Sequence, residues 1–234
     1  MSEGDLKQPL PSYGAIDKYL GDEGEKYFRQ QNTSGNAIAH YNKFLFSPFV
    51  KNTDEVLDFG CGGGNLLNVL NPKIKVGVEI NPTARAYATR LGIEIYSTLD
   101  ELEHRAFDKI ITSHALEHIP NPYEALVKLK GLLKPDGLLL WLAPIDDWRN
   151  KTQKMWSLND NDMHLYTWTP LLLGNLLKTA GFVPQSVTTI VHACPPSPFD
   201  EWLWKTHPSL FHIAAYIWAR VRKQRQLFAV ATGQ

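Results

Sequence analysis

Residues 56–64 read VLDFGCGGG, and residues 65–70 continue as NLLNVL. An apolar run ends in the acidic residue Asp58, and a glycine cluster follows at once before a helix-compatible segment. This order predicts a strand, a tight turn and the start of a helix, which together hold nucleotide-like ligands at the carboxyl edge of α/β sheets. Glycine suits such a turn because it adopts positive φ angles and leaves no Cβ between the backbone and a ligand.

The spacing of the glycines separates two classes of cofactor. A dinucleotide fingerprint requires G-x-G-x-x-G, but Asn65 or Leu67 stands where the third glycine would be, depending on the register. The pattern that is present is acid-x-G-x-G-x-G, formed by Asp58, Gly60, Gly62 and Gly64. It resembles the first motif of the class I S-adenosylmethionine (SAM)-dependent methyltransferases. SAM carries a sulfonium cation and an amino acid moiety in place of a pyrophosphate, so a nearby acid is useful.

A second short apolar strand, predicted over residues 75–80, ends in an acid 21 positions after Asp58. An acid at about this distance, at the end of the second strand, typically binds ribose hydroxyls. The resemblance gives that role to Glu79 and places Ile80 against the adenine. The alternative for Glu79 is a solvated strand end.

Three later segments resemble further motifs of the same family in the expected order: FDKI at 107–110, HALEHIP at 114–120 and LKPDG at 133–137. With the first two motifs they cover residues 56 to 144. The resemblance therefore implies SAM as the cofactor and S-adenosylhomocysteine (SAH) as its product. The cofactor-binding residues it implies are Asp58, Phe59, Gly60, Cys61, Gly62, Gly64, Glu79, Ile80, Thr98, Ser113 and His114.

Strand and helix patterns alternate along the chain, which predicts a doubly wound, mainly parallel seven-stranded Rossmann-like α/β sheet. The last predicted strand, 226–232, is expected to be the antiparallel edge strand of the family. Two helical segments, about 16–31 and 36–46, precede the first strand. We expect a helical cap at 1–50 and a methyltransferase domain at 51–234, forming a single structural unit with a polar, aromatic insertion at about 145–168.

Composition excludes several classes of protein. Lysine plus arginine and aspartate plus glutamate number 24 each, so no net charge attracts nucleic acid, and no DNA partner is expected. Two distant cysteines do not form a disulfide framework. There is neither a signal-like N-terminus nor a run of ~18 apolar residues, so we expect a cytoplasmic protein.

Histidines are the candidate catalytic residues, because a hydroxyl acceptor would benefit from a base with a pKa near neutrality. His114 and His118 qualify by their place after the fourth strand, and His164 by its place in the insertion. For each of them the alternative is a structural histidine. HALEH also matches the H-x-x-E-H zinc motif, but that motif requires a helix, and here a β-type run precedes it and Pro120 follows. We therefore predict no metal.

The acceptor is suggested only by indirect features. Aromatic residues at 148, 156, 166 and 168 would form either a pocket lid or part of the core. No N/D-P-P-Y/F-type motif follows the fourth strand, which argues against a base amine. A basic run could contact phosphate, nucleic acid or an anionic membrane, or form a solvated helix end: Arg220, Arg222, Lys223 and Arg225. The prediction is methyl transfer to a small-molecule or saccharide acceptor, at oxygen. RNA or protein methylation, and SAM-binding regulation without turnover, are the alternatives.

Overall fold

A computed structural model describes residues 17–145, 154–155, 163–194 and 199–233. The strands are β1 (Glu55–Phe59), β2 (Ile74–Val78), β3 (Glu94–Tyr96), β4 (Phe107–Ser113), β5 (Leu133–Pro144), β6 (Val183–Val191) and β7 (Arg225–Thr232). The α-helices are α1 (Gly21–Phe46), α2 (Asn65–Leu70), α3 (Pro82–Arg90), α4 (Pro122–Gly131), α5 (Pro170–Thr179), α6 (Phe199–Thr206) and α7 (Pro208–Val221). Short 3-10 helices span Asp17–Tyr19, Leu99–Leu102 and Leu116–His118.

The seven strands form one sheet in the order β3-β2-β1-β4-β5-β7-β6. Strands β1 to β5 are parallel to one another, whereas β7 is antiparallel to both β5 and β6. This confirms the predicted fold class. Strand β7, expected at the edge of the sheet, is the second strand from the edge, because β6 pairs with its outer side. Apolar side chains on the two faces form separate cores, one including Trp141 and the other including Phe46.

Helix α1 differs from the prediction of two N-terminal helices, since it runs unbroken from Gly21 to Phe46. The polar residues 32–35 are weak helix formers, but Asn32 and Gly35 contact α2. Asn65 donates a hydrogen bond from Nδ2 to Asn32 Oδ1 at 2.9 Å. A Cβ on Gly35 would come within 2.7 Å of the same Nδ2, so glycine permits this close approach. A tertiary contact therefore outweighs the local propensity.

The N-terminal helix shares its core with the sheet. Phe46 is fully buried and packs edge-on against Phe228 of β7, with ring centroids 5.5 Å apart. The division into a cap at 1–50 and a domain at 51–234 remains a prediction. None of the helices within the described residues is both long enough and apolar enough to cross a membrane.

The predicted insertion at 145–168 is described only in part, and Trp148 and Trp156 lie outside the described residues. Trp168 is buried and meets Trp141 edge-on at 5.0 Å, so it belongs to the core. Tyr166 stacks on Trp168 and donates a hydrogen bond to the carbonyl of Pro120 at 2.7 Å. This bond ties the segment to the loop that follows β4.

Candidate functional site

The carboxyl ends of the parallel strands and the start of antiparallel β7 meet at one edge of the sheet, because β7 runs in the opposite direction. A cavity of about 980 Å³ opens there. It extends from Thr98, after β3, past the β1 and β4 loops to Gln226 on β7 and His192 after β6. Helix α1 also lines it, through residues including Asn42. This is the position at which doubly wound sheets bind their ligands.

Two acidic side chains occupy the β1–β2 part of the cavity. Asp58 is 2% exposed, and its Oδ1 has no hydrogen-bond partner. Burial, together with the charge of Glu79, raises the pKa of Asp58 to about 7. Glu79 accepts hydrogen bonds from the backbone N–H of Gly62 and of Asn81, both at 2.8 Å. Burial raises the pKa of Glu79 despite these bonds.

The glycine loop leaves room at this place. Gly62 has φ 54°, and a Cβ built on it would meet no atom within 4 Å, so the backbone borders open space. Gly64 has φ 76°, and its Cβ would lie 2.1 Å from Cδ1 of Ile93. Gly64 therefore allows α2 to pack on Ile93 and does not line the cavity. The orphaned Asp58 oxygen and the open loop fit a ligand that carries a positive charge beside a sugar.

The other predicted cofactor-binding residues line this same cavity. Phe59, Gly60 and Cys61 lie in the turn after β1, and Ile80 follows Glu79. Thr98 begins the 3-10 turn at 99–102 in a capping box with Glu101. Ser113 ends β4, and His114 follows it. The structure thus brings all of them together except Gly64.

All three candidate histidines line the cavity as well. The rings of His118 and His164 meet edge-on with centroids 4.8 Å apart. Burial lowers the pKa of His118 to about 4, although the charge of Glu117 opposes this shift. A base with so low a pKa is weak at neutral pH. His114 has φ 53°, and its Nε2 lies 3.2 Å from Oε1 of Gln226.

The H-x-x-E-H segment does not form the α-helix that a zinc protease requires. Residues 116–118 form a single 3-10 turn, and His114 precedes it in the left-handed region. His114 and His118 therefore do not lie one helical turn apart on a common face. Instead, Glu117 and His118 lie close to His164, which is distant in sequence.

Sequence reasoning missed the residues at the far end of the cavity. His192 Nε2 and Asn42 Oδ1 lie 2.8 Å apart, and the ring of Tyr41 stacks on His192 at 4.2 Å. Burial lowers the pKa of His192 to about 4. Gln226 and Cys194 also line this end. These residues belong to no local motif, so only the strand order could have indicated them.

The basic run at the end of α7 divides between two environments. Arg225 lines the cavity, at the start of β7. Arg220, Arg222 and Lys223 are exposed and do not line it. Of these four cations, Arg225 is thus the one that lines the cavity.

Fold and site together define a Rossmann-like protein with an acid-lined glycine loop at the carboxyl edge of its sheet. A model of the family described as "Methyltransferase domain" matches residues 27–187. The chain belongs to this family, within the class I SAM-dependent methyltransferases. Membership in the family implies the use of SAM and SAH.

Two relatives show the range of the similarity. The ubiquinone biosynthesis O-methyltransferase of Dinoroseobacter shibae is 32% identical over 116 residues, which cover 44% of this chain and 46% of the relative. The match thus spans about half the length of that enzyme. An uncharacterized methyltransferase of Mycobacterium bovis is 30% identical over 154 residues, covering 61% of this chain and 73% of the relative.

Solved structures support the fold. The plantazolicin methyltransferase BamL, in a complex with SAH and a triazolic desmethylPZN analogue, superimposes with a TM-score of 0.62 at 16% identity. The alignment covers 94% of this chain and 96% of BamL. A SAM-dependent methyltransferase from Archaeoglobus fulgidus gives a TM-score of 0.61 at 17% identity and covers 88% of this chain and 99% of that one.

Proposed function

We propose that the protein transfers the methyl group of SAM to an oxygen atom of a small-molecule or saccharide acceptor. The observation that carries this proposal is the single continuous cavity. One end holds the acids Asp58 and Glu79, and the other holds polar side chains such as His192 and Gln226. A cavity of this size is at the upper end of those that bind small ligands. It accommodates a cofactor and an acceptor side by side.

The cofactor side is assigned to residues of the first two motifs. SAM supplies an electrophilic methyl group on a positively charged sulfur. Ionised Asp58 stabilises positive charge through its unpaired Oδ1. Glu79 already accepts two backbone N–H groups, which hold its carboxylate in place, and its remaining lone pairs can accept ribose hydroxyls.

The acceptor side is assigned to the region between His118 and Gln226. Methyl transfer chiefly requires that the acceptor atom lie on the axis of the breaking bond and that water be excluded. Polar side chains in this region, such as His192 and Gln226, offer hydrogen-bond donors and acceptors, which suit hydroxyl-bearing molecules. With one of the four cations of the basic run in the cavity, a polyanionic acceptor such as RNA is less well matched. The name of the Dinoroseobacter relative, an O-methyltransferase, supports oxygen as the methylated atom.

The first test is SAM binding by isothermal titration calorimetry. Wild type is compared with Asp58→Ala and Glu79→Ala, and NAD serves as the control ligand. Glu94→Ala is the matched control variant, because Glu94, on β3, forms an ion pair with Arg105 and does not line the cavity. We expect micromolar SAM affinity in wild type and Glu94→Ala, and at least about a tenfold loss in the other two variants. Absent SAM binding, or NAD binding in its place, would refute the assignment.

Turnover distinguishes an enzyme from a SAM-binding regulator. Protein with SAM carrying a radiolabelled methyl group is incubated with panels of phenols, saccharides, peptides and RNA. The proposal predicts label in a phenol or saccharide fraction, with release of SAH. Label confined to RNA or peptide would contradict the acceptor class, and SAM binding with no label in any fraction would favour the regulator.

A further inference from the structure

We propose that Glu117, His118 and His164 bind a divalent transition metal ion at the acceptor end of the cavity. This inference rests on the proposed function for the metal's role, although not for its binding. Each residue offers one ligand atom, and these atoms all lie within 4.8 Å of one another. The cluster joins the loop after β4 to the segment before α5.

The environment of Glu117 favours the binding of a cation. Glu117 is fully buried, and neither carboxylate oxygen has a hydrogen-bond partner. Its Oε1 lies 3.5 Å from Nδ1 of His114, which is too long for a strong hydrogen bond. Nδ1 of His118 is likewise buried without a partner. Burying a carboxylate is costly unless hydrogen bonds or a cation compensate it, and a metal ion would compensate it here.

The chain also holds the three groups in position. The backbone N–H of Leu165 donates to the carbonyl of Glu117 at 2.8 Å, which joins the segment carrying His164 to the turn carrying the other two ligands. Tyr166 adds the bond to Pro120 described above. Zinc–ligand bonds of about 2.0–2.2 Å require ligand atoms roughly 3–4 Å apart. Adjustments on the order of 1 Å would therefore close the cluster on an ion.

The ligand types indicate the class of metal. Two imidazoles and one carboxylate are the protein ligands of catalytic zinc sites and of non-haem iron sites, which keep coordination positions open. Imidazole ligands disfavour Mg²⁺ and Ca²⁺, which prefer oxygen. His118 and His164 line the cavity, so the open positions would face an acceptor.

At that place the ion would activate an acceptor hydroxyl. Coordination lowers the pKa of a bound hydroxyl, so the oxygen loses its proton to water and becomes a better nucleophile. A C–O bond then forms to the methyl carbon while the C–S bond breaks, and its electron pair stays on sulfur to give neutral SAH. His118 would act as a ligand and not as the general base.

Metal binding can be tested without any acceptor. Protein dialysed against EDTA and then against buffer is titrated with Zn²⁺ by calorimetry, comparing wild type with Glu117→Gln and His164→Ala. His104→Ala is the matched control, because His104 is an exposed histidine outside the cavity. We expect one Zn²⁺ per chain in wild type and His104→Ala. Loss of a ligand should weaken binding by at least about tenfold in the other two variants.

Several outcomes would overturn the inference. One is that the wild type binds no Zn²⁺. Another is that Glu117→Gln and His164→Ala bind Zn²⁺ as tightly as the wild type does. Should Glu117→Gln fail to fold by circular dichroism, the partly exposed His164→Ala variant decides the question. SAM calorimetry on the EDTA-treated wild type separates the two proposals, since SAM binding without Zn²⁺ binding would refute only the metal. With an acceptor in hand, kcat unchanged by EDTA would refute its role in methyl transfer.

Discussion

Replacing Asp58 with asparagine should stabilise the cofactor-free protein while it weakens SAM binding. The pKa of Asp58 rises from 3.8 to about 7 in the folded state, chiefly because of burial. A carboxyl whose pKa is raised by folding contributes stability below pH 3.8 and loses it as pH rises through 7. Ionisation of Asp58 thus lowers the free energy of unfolding by about 4 kcal/mol at pH 8 and by less than about 2 kcal/mol at pH 5. Asparagine has no charge, so it should avoid this loss.

The assay is urea unfolding of wild type and Asp58→Asn at pH 5 and pH 8 without SAM. We expect a gain of up to about 4 kcal/mol at pH 8 that falls by about half or more at pH 5. Thermal scans should show a higher Tm by roughly 8–16 °C at pH 8. Calorimetry with SAM should show an affinity at least about tenfold weaker in the variant.

Asp108→Asn is the matched control because Asp108 has the opposite shift. Burial raises the pKa of Asp108, but hydrogen bonds from the Glu55 N–H and from Lys134 outweigh it and lower the pKa. Its contribution is present at neutral pH and is lost as pH falls, so this variant should be destabilised at pH 8. An Asp58→Asn variant no more stable than wild type at pH 8, or a gain independent of pH, would refute the reasoning.

Further predictions concern the surroundings of the site. Gly64→Ala should lower the free energy of unfolding in urea by about 2–4 kcal/mol, because φ is positive and the new Cβ would lie 2.1 Å from Ile93. Gly92 also has a positive φ, 75°, but borders open space, so Gly92→Ala should lower it by about 1 kcal/mol. Equal costs would contradict the packing role. Asn81→Ala should lower the free energy of unfolding by about 2 kcal/mol, since the Asn81 side chain caps α3 and donates a hydrogen bond to the Gly24 carbonyl in α1. Hydrogen exchange should show faster opening at the start of both helices. In the wild type, His192 is neutral in the folded protein down to a pKa of about 4, whereas the unfolded chain takes up a proton below pH 6.5. The free energy of unfolding should therefore fall between pH 6.5 and 4, and His192→Gln should reduce this fall. An unchanged pH profile of stability in the variant would argue against this.

Local patterns were sufficient for the part of the site that lies on neighbouring segments. The FDKI motif at 107–110 lies in β4, and Asp58 and Glu79 lie at the carboxyl ends of adjacent parallel strands as expected. These features depend on hydrophobic runs and on glycine spacing, both of which are local. The cofactor end of the cavity was therefore predictable.

The acceptor end depends on long-range pairing that no local pattern reveals. Asn42 and His192 are 150 positions apart, and they meet only because α1 packs over the end of β6. Gln226 reaches His114 because β7 lies next to β5 and not at the edge of the sheet. Glu117 is buried, and its carbonyl accepts a hydrogen bond from the distant Leu165, a contact that the local motif does not reveal.

The position of β7 also bears on the order in which the sheet is completed during synthesis. Strand β6 pairs with β7 and with no other described strand, and β7 is the last strand in the described part of the chain. While the chain is being made, β6 has no neighbour to join until residues 225–232 have left the ribosome. The parallel strands β1 to β5 can assemble earlier, leaving the outer side of β5 exposed until then. A nascent chain halted before residue 225 should thus be prone to aggregation through that open strand.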